Sequence, residues 1–241
     1  MTSRIKAVLF DKDGTLIDFH ASWGPVCRMA SALAADDDEE LTLRLMEIGG
    51  IDPDTGLAQG DSLFASASTG ELAAAFIENG SRWDLPALTV AIDDIFTRGN
   101  AHAVPITELA PLFARLKGRG LVLGIASSDN EAAIRVMLDT FGLAPYVDFV
   151  AGYDSGYGLK PGPGMVSAFC AATGIAPEHV AVVGDNLHDM NMALSAKAGK
   201  RIAVLSGTGA HEHLSANSDH LIESIEALEE LLFGDAVSEQ L

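Results

Sequence analysis

VLFDKDGTLID, residues 8–18, decides how the rest of the chain is read. The apolar run Ala7–Phe10 has the pattern of a strand buried on both faces. It ends on two carboxylates, Asp11 and Asp13, followed at once by Gly14. Crowded carboxylates repel and take up protons unless a cation sits among them. A buried strand that carries two of them to one spot therefore calls for a cation there, and for a reason to tolerate the charge. Gly14 suits a chain that must leave the strand sharply.

Outward from this stretch, the chain from about residue 105 onward alternates between two patterns. Apolar runs read as buried parallel strands: LVLGIA (121–126), VDFVAG (147–152), VAVVGD (180–185) and RIAVLS (201–206). Amphipathic stretches lie between and after them: ITELAPLFARLKGRG, NEAAIRVMLDTFG, GPGMVSAFCAATG, DMNMALSAKAG and IESIEALEELLF. Gly118, Gly142, Gly174 and Gly199 fall where helices should stop. Strand–helix alternation implies a parallel sheet covered on both faces, an α/β Rossmann-like fold.

Residues 19–102 break that rhythm, with no continuous strand-like run. Helical patterns replace it around SWGPVCRMASALAA, EELTLRLMEIG, ELAAAFIEN and ALTVAIDDIFTRG. Ser68 and Glu71 fit a capping box, and Asp84 before Leu85-Pro86 fits a helix start. Asp36–Glu40 reads as a solvated helix start. The expected organisation is an α/β core of residues 1–18 and 103–241, with an all-helical insert at 19–102. The last residues, GDAVSEQL, read as a loose tail.

Charge and composition narrow the partners. Fifteen Lys and Arg against thirty-four Asp and Glu give a net charge of −19, and 48% of the 241 residues are apolar. The expectation is a globular chain that binds neither nucleic acid nor an anionic membrane, since phosphates would be repelled. An anionic substrate then needs a metal or a few placed cations. Cys27 and Cys170, without CxxC spacing, read as two buried thiols in a reducing compartment. No apolar run reaches the length of a membrane span, and the N-terminus holds no apolar signal segment. A cytoplasmic protein, monomer or homodimer, is expected.

Ligands of open α/β sheets sit beyond the carboxyl ends of the strands. After KAVLF come Asp11 and Asp13, and after LVLGIA come Ser127 and Ser128. Lys160-Pro161 lies in the Gly-rich loop after VDFVAG, and Asp185 and Asp189 follow VAVVG. Oxygen-only ligands suit a hard cation such as Mg²⁺, while lysine and serine suit phosphate oxygens. A carboxylate can also act as nucleophile and form an aspartyl-phosphate.

DKDGTL, the serine closing the second strand, the lysine in GLKPGP, and GDNLHD resemble, in order, the four motifs of the haloacid dehalogenase (HAD) superfamily. The resemblance spans the whole chain, including a helical C1 cap after the first motif, and is nearest to the phosphoglycolate phosphatase group. It implies a Mg²⁺-dependent phosphatase acting on a small phosphate ester. It makes Asp11 the nucleophile and a metal ligand. Asp13 becomes the general acid/base, with its backbone carbonyl also on the metal. Ser127, or alternatively Ser128, binds the transferring phosphoryl group. Lys160 bridges Asp11 and the phosphate. Asp185 ligates the metal, and Asp189 supports it directly or through water. Thr15 is expected to orient Asp13, and Phe19, His20 and Trp23 are candidates for the pocket wall. His188 occupies a variable position of the last motif. The dehalogenases proper lack an acid at the place of Asp13, so carbon–halogen chemistry is not expected. A phosphomutase of the β-phosphoglucomutase type shares these motifs. A receiver-like signalling domain shares the acidic strand ends but needs neither the second aspartate nor a cap.

Overall fold

The computed structural model describes residues 5–59 and 62–234. Six parallel strands form one sheet in the order β3-β2-β1-β4-β5-β6. They are β1 (Ala7–Phe10), β2 (Val122–Ala126), β3 (Phe149–Ala151), β4 (Val180–Gly184), β5 (Lys200–Val204) and β6 (His220–Ile222). Alternate residues of β1 serve opposite faces, as the two-residue period requires. Val8 and Phe10 join the cluster under α6 (Leu109–Gly118), α7 (Glu131–Thr140) and α11 (Leu228–Phe233). Ala7 and Leu9 join the cluster under α8 (Gly164–Thr173) and α9 (Leu187–Ser195). α10 (His211–Asn217) packs Leu214 against Met190 of α9.

Between β1 and β2 run α1 (Phe19–Ala34), α2 (Glu39–Ile48), α3 (Leu63–Ser66), α4 (Thr69–Glu78) and α5 (Leu85–Gly99). Their buried faces form their own apolar clusters, one around Leu45, Leu72, Phe76, Leu88 and Ile92 and another around Phe19, Trp23 and Cys27. Asp18, Asp38, Ser68 and Asp84 each cap a helix with a side-chain oxygen, and Ser68 with Glu71 completes the capping box. The two ends of this segment meet. Asp18 N–H donates to Val104 O at 2.8 Å, Ile106 N–H donates to Leu16 O at 2.9 Å, and Ile17 bridges Pro105 in antiparallel fashion.

Some boundaries differ from expectation. The stretch expected to be helical from Ile106 begins its helix only at Leu109, because Ile106 is held by Leu16. IESIEALEELLF divides into a 3₁₀ turn, Ile225–Ala227, and the short α11. Gly174 takes the left-handed helix-ending conformation (φ +69°), but the equivalent turn before Gly199 falls on Lys197 (φ +57°). Gly199 serves close approach instead, since a Cβ there would lie 2.1 Å from Glu178 O. β6, α3 and α10 are short and half-buried, with too little periodicity to be read beforehand. Both cysteines are free, Cys27 buried and Cys170 half-buried. Among the described residues, no helix is long and apolar enough to cross a membrane. The tail from Asp235 lies outside the described residues.

Candidate active site

The strand order reverses between β1 and β4, which are neighbours in the sheet although α1 to α8 separate them in the chain. Ligands of open α/β sheets gather at such a reversal. Asp11 leaves the end of β1, its N–H donating to Val183 O of β4, and Asp185 leaves the end of β4. Asp189 stands on the first turn of α9. Carboxylate oxygens of Asp11, Asp185 and Asp189 lie within 4.8 Å of one another, and all three residues are buried.

Lys160 enters this group from the loop after β3. Its Nζ donates to Asp11 Oδ1 at 2.5 Å and to Asp189 Oδ1 at 2.6 Å. Burial alone would lower the lysine's pKa, but the charges of Asp11 and Asp189 outweigh it and hold it above the ordinary value. Burial pushes Asp11 up to about 7, with Asp189 and Asp13 adding to the rise and Lys160 opposing it. Asp185 is raised well above the carboxylate range by burial and by repulsion from Asp11 and Asp189. Three buried carboxylates thus share a single ammonium. This donor set fits a divalent cation, which would supply the missing positive charge through oxygen ligands.

The backbone around the cluster allows such crowding. Gly14 adopts φ +79°, and a Cβ on it would stand 2.5 Å from Asp185 Oδ2. A Cβ on Gly207 would have still less room, 1.9 Å from the same oxygen. Thr208 N–H donates to Asp185 Oδ2 at 2.8 Å. Asp189 combines two tasks: Oδ2 accepts from Asn186 N–H at 3.1 Å in the capping box of α9, while Oδ1 meets Lys160.

Asp13 lies apart from this cluster. Its Oδ1 accepts from Trp23 Nε1 at 2.7 Å, and its Oδ2 pairs with Lys12 Nζ at 2.6 Å. Lys12 is fully buried. Its remaining donors reach Asp129 Oδ2 at 3.2 Å and Asn100 Oδ1 at 3.1 Å, and its ammonium stands 4.8 Å from the Trp23 ring centroid. Burial works against the Lys12 charge, but Asp13 and Asp129 reverse the effect and raise its pKa. Burial likewise raises Asp129, with Lys12 opposing.

Asp11, Asp13, Ser127, Ser128, Lys160, Asp185 and Asp189 all line one cavity, as do Phe19 and Trp23. Ser127 Oγ accepts from Asp129 N–H at 3.0 Å, which leaves its own proton to donate. Ser128 Oγ instead donates to Ser66 O of α3 at 3.1 Å, so its proton is committed to the insert. Two expected residues do not reach the cavity. Thr15 is completely buried and its Oγ1 has no hydrogen-bond partner, so it does not orient Asp13; Lys12 and Trp23 hold that carboxylate. His20 is exposed, because Phe19 and Trp23 occupy the inward side of α1.

Sequence reading also missed partners. Lys12 stood between two conspicuous aspartates as an unremarked residue, and Asn100 and Asp129 carried no pattern. A lysine at the end of an apolar strand was the one available signal. Asp93 of α5 was missed too; it accepts from Tyr153 OH at 2.6 Å and from Asn130 Nδ2 at 3.1 Å, tying the insert to the core.

A family model of haloacid dehalogenase-like hydrolases matches residues 5–197. The phosphoglycolate phosphatase of Rhodospirillum rubrum is 28% identical over 213 residues, covering 83% of this chain and 79% of that protein. The N-acetylmuramic acid 6-phosphate phosphatase of Pseudomonas aeruginosa is 26% identical over 239 residues, covering 95% and 97%. Among solved structures, one from Clostridium acetobutylicum described as a predicted phosphatase superposes with a TM-score of 0.72 at 22% identity, covering 96% of this chain and all of that one.

Proposed function

The chain belongs to the haloacid dehalogenase-like hydrolases, and we propose that it is a Mg²⁺-dependent phosphatase of small phosphomonoesters that works through an aspartyl-phosphate. One observation carries the reading: three buried carboxylates converge at the sheet reversal, two of them on one lysine, with a separately held carboxylate beside them. The relatives named above, both phosphatases, support the reaction class.

Asp11 is the nucleophile, attacking phosphorus in line with the leaving oxygen. Lys160, already on Asp11 Oδ1, directs that carboxylate and faces the equatorial phosphoryl oxygens. Ser127 donates its hydroxyl to one of those oxygens. Asp13 protonates the leaving alkoxide and, once ionised, takes a proton from the water that hydrolyses the aspartyl-phosphate. Asp11, Asp185 and Asp189 are the residues that would hold the Mg²⁺, with Asp13 contributing its backbone carbonyl. When bound, the ion supplies charge neutralisation at the phosphoryl group. Residues 19–102 act as the cap, excluding bulk water and choosing the leaving group.

The test is phosphate release from p-nitrophenyl phosphate. Activity should depend on added Mg²⁺ and vanish in excess EDTA. Full activity after exhaustive chelation would remove the metal from the proposal. Transfer of the phosphoryl group back to a sugar phosphate, rather than to water, would favour a phosphomutase.

A further inference from the structure

The cavity has two unlike walls. The core wall carries Lys160, His188, Asn186, Ser127, Ser128 and the aspartates. The insert wall is built from Phe19, Trp23, Cys27, Phe64 and Phe96, with Thr69 and the short segment Ala65–Ala67. Trp23 stacks edge-on against Phe96, their centroids 5.9 Å apart, so the aromatic surface is continuous.

Among the described residues, no arginine or lysine of the insert lines this cavity. Arg28 pairs with Glu39 and Arg98 with Asp94, both on exposed surface. Arg44 and Arg82 line a separate pocket together with Asp36, Asp38 and Glu40. Lys12, beneath Trp23, is committed to Asp13, Asp129 and Asn100. The Trp23 N–H is spent on Asp13. The N-terminus of α4 reaches the cavity at Thr69, but its capping box already places the Glu71 carboxylate there. A helix end that would otherwise attract an anion is therefore neutralised.

An ester whose leaving group bears its own carboxylate would have to bury that charge beside Asp13 and Asp129 with no arginine or lysine of the insert as counter-ion; on the core wall, His188 lines the cavity with a buried Nδ1 that has no hydrogen-bond partner. Burying an unpaired charge is costly, and a wall of aromatic rings returns nothing for it. Resting on the phosphatase reading above, we infer that the substrate is the phosphate ester of an uncharged alcohol with an apolar or aromatic part, and that carboxylate-bearing esters such as 2-phosphoglycolate are disfavoured. The insert wall is thus a specificity surface that selects against charge in the leaving group.

The experiment compares kcat/KM for propyl phosphate, benzyl phosphate and 2-phosphoglycolate with the full-length protein and Mg²⁺. All three have alkoxide leaving groups, so the comparison reads the pocket. The two uncharged esters should exceed 2-phosphoglycolate by about 10-fold or more, the scale on which a pocket lacking a partner rejects a charged group. Equal or faster hydrolysis of 2-phosphoglycolate would overturn the inference and leave the phosphatase reading standing. Release from p-nitrophenyl phosphate but from none of the three would also overturn the inference, whereas no release from any of the four would overturn the phosphatase reading. Ala67→Arg, which places a guanidinium on the insert wall, should raise the ratio of 2-phosphoglycolate to propyl phosphate turnover several-fold. An unchanged ratio in a folded variant would mean that this wall does not set the preference.

Discussion

Two buried lysines stand at this site, and each is surrounded differently. Lys160 faces Asp11 and Asp189, with Asp185 close behind, so three carboxylates share one ammonium. Lys12 faces Asp13 and Asp129, and its third donor is taken by the Asn100 amide oxygen. The first group is short of positive charge, and Asp11 and Asp185 are pushed towards protonation. In the second, all three ammonium protons have acceptors and Asp13 gains a further donor from Trp23. The difference teaches that one cluster is built to receive a cation and a phosphoryl group, while the other is built to hold one carboxylate still.

Substituting the two reactive aspartates breaks this comparison most severely. Asp11→Asn should show neither turnover nor a phosphoenzyme. Asp13→Asn should lose about 10²–10⁴-fold in turnover, the range for a well-placed acid/base. It should still trap phosphate on Asp11 from an activated donor such as acetyl phosphate, because dephosphorylation of the aspartyl-phosphate lacks its base. Intact-protein mass after acid quench reads both outcomes, and an adduct that forms equally well without Asp11 would overturn the choice of nucleophile.

Removing the second lysine should be felt first in stability. Lys12→Met leaves the buried Asp129 side chain and the half-buried Asp13 without their partner, and breaking a buried pair costs about 3–5 kcal/mol. Urea unfolding measures this, and adding Asp129→Asn to the same chain should recover part of the loss. A Lys12→Met protein as stable as the parent would show that the second cluster does not need its cation.

The smallest effect expected has the opposite sign. Asp185→Asn relieves repulsion in the charge-deficient cluster, so the metal-free protein should gain on the order of 1 kcal/mol, while the stabilisation that Mg²⁺ gives the parent should be lost. Thermal melts with and without Mg²⁺ test this. A variant that still responds to the ion like the parent would take Asp185 out of the proposed ligand set.

The two clusters also differ in how far they could be read beforehand. Asp11, Lys160, Asp185 and Asp189 follow strands or lie in a Gly-rich loop, and strand ends converge in any parallel sheet, so their meeting was legible. Five of the six strands were legible for the same reason: the inner strands β1, β2, β4 and β5 are continuous apolar runs, and the edge strand β3 sits within VDFVAG. The Lys12 cluster was not. It joins residues 12, 100 and 129 through side chains whose partners come from the packing of α5 and the 3₁₀ turn Asn100–His102 against the loop after β2, and no periodicity encodes such packing. His20 and Thr15 failed for a related reason. Proximity in sequence to Asp13 says nothing of which side of α1 faces inward, or of whether a buried hydroxyl can turn towards the carboxylate.

The junction at Asp18 and Val104 has a consequence for how such a molecule can be altered. Because the chain enters and leaves the helical insert at adjacent points, already hydrogen-bonded to each other, the insert is topologically a module hung from a closed loop of the core. The six strands close without it, so one insert could be traded for another while the sheet and its acidic cluster keep their register. A chain in which a short Gly-Ser linker replaces residues 20–102 should retain cooperative unfolding, and non-cooperative melting would show that the core depends on the insert. The ties through Lys12–Asn100 and Asp93–Tyr153 are what any exchanged module would have to restore. Selectivity and chemistry would then be separately inheritable parts of one chain.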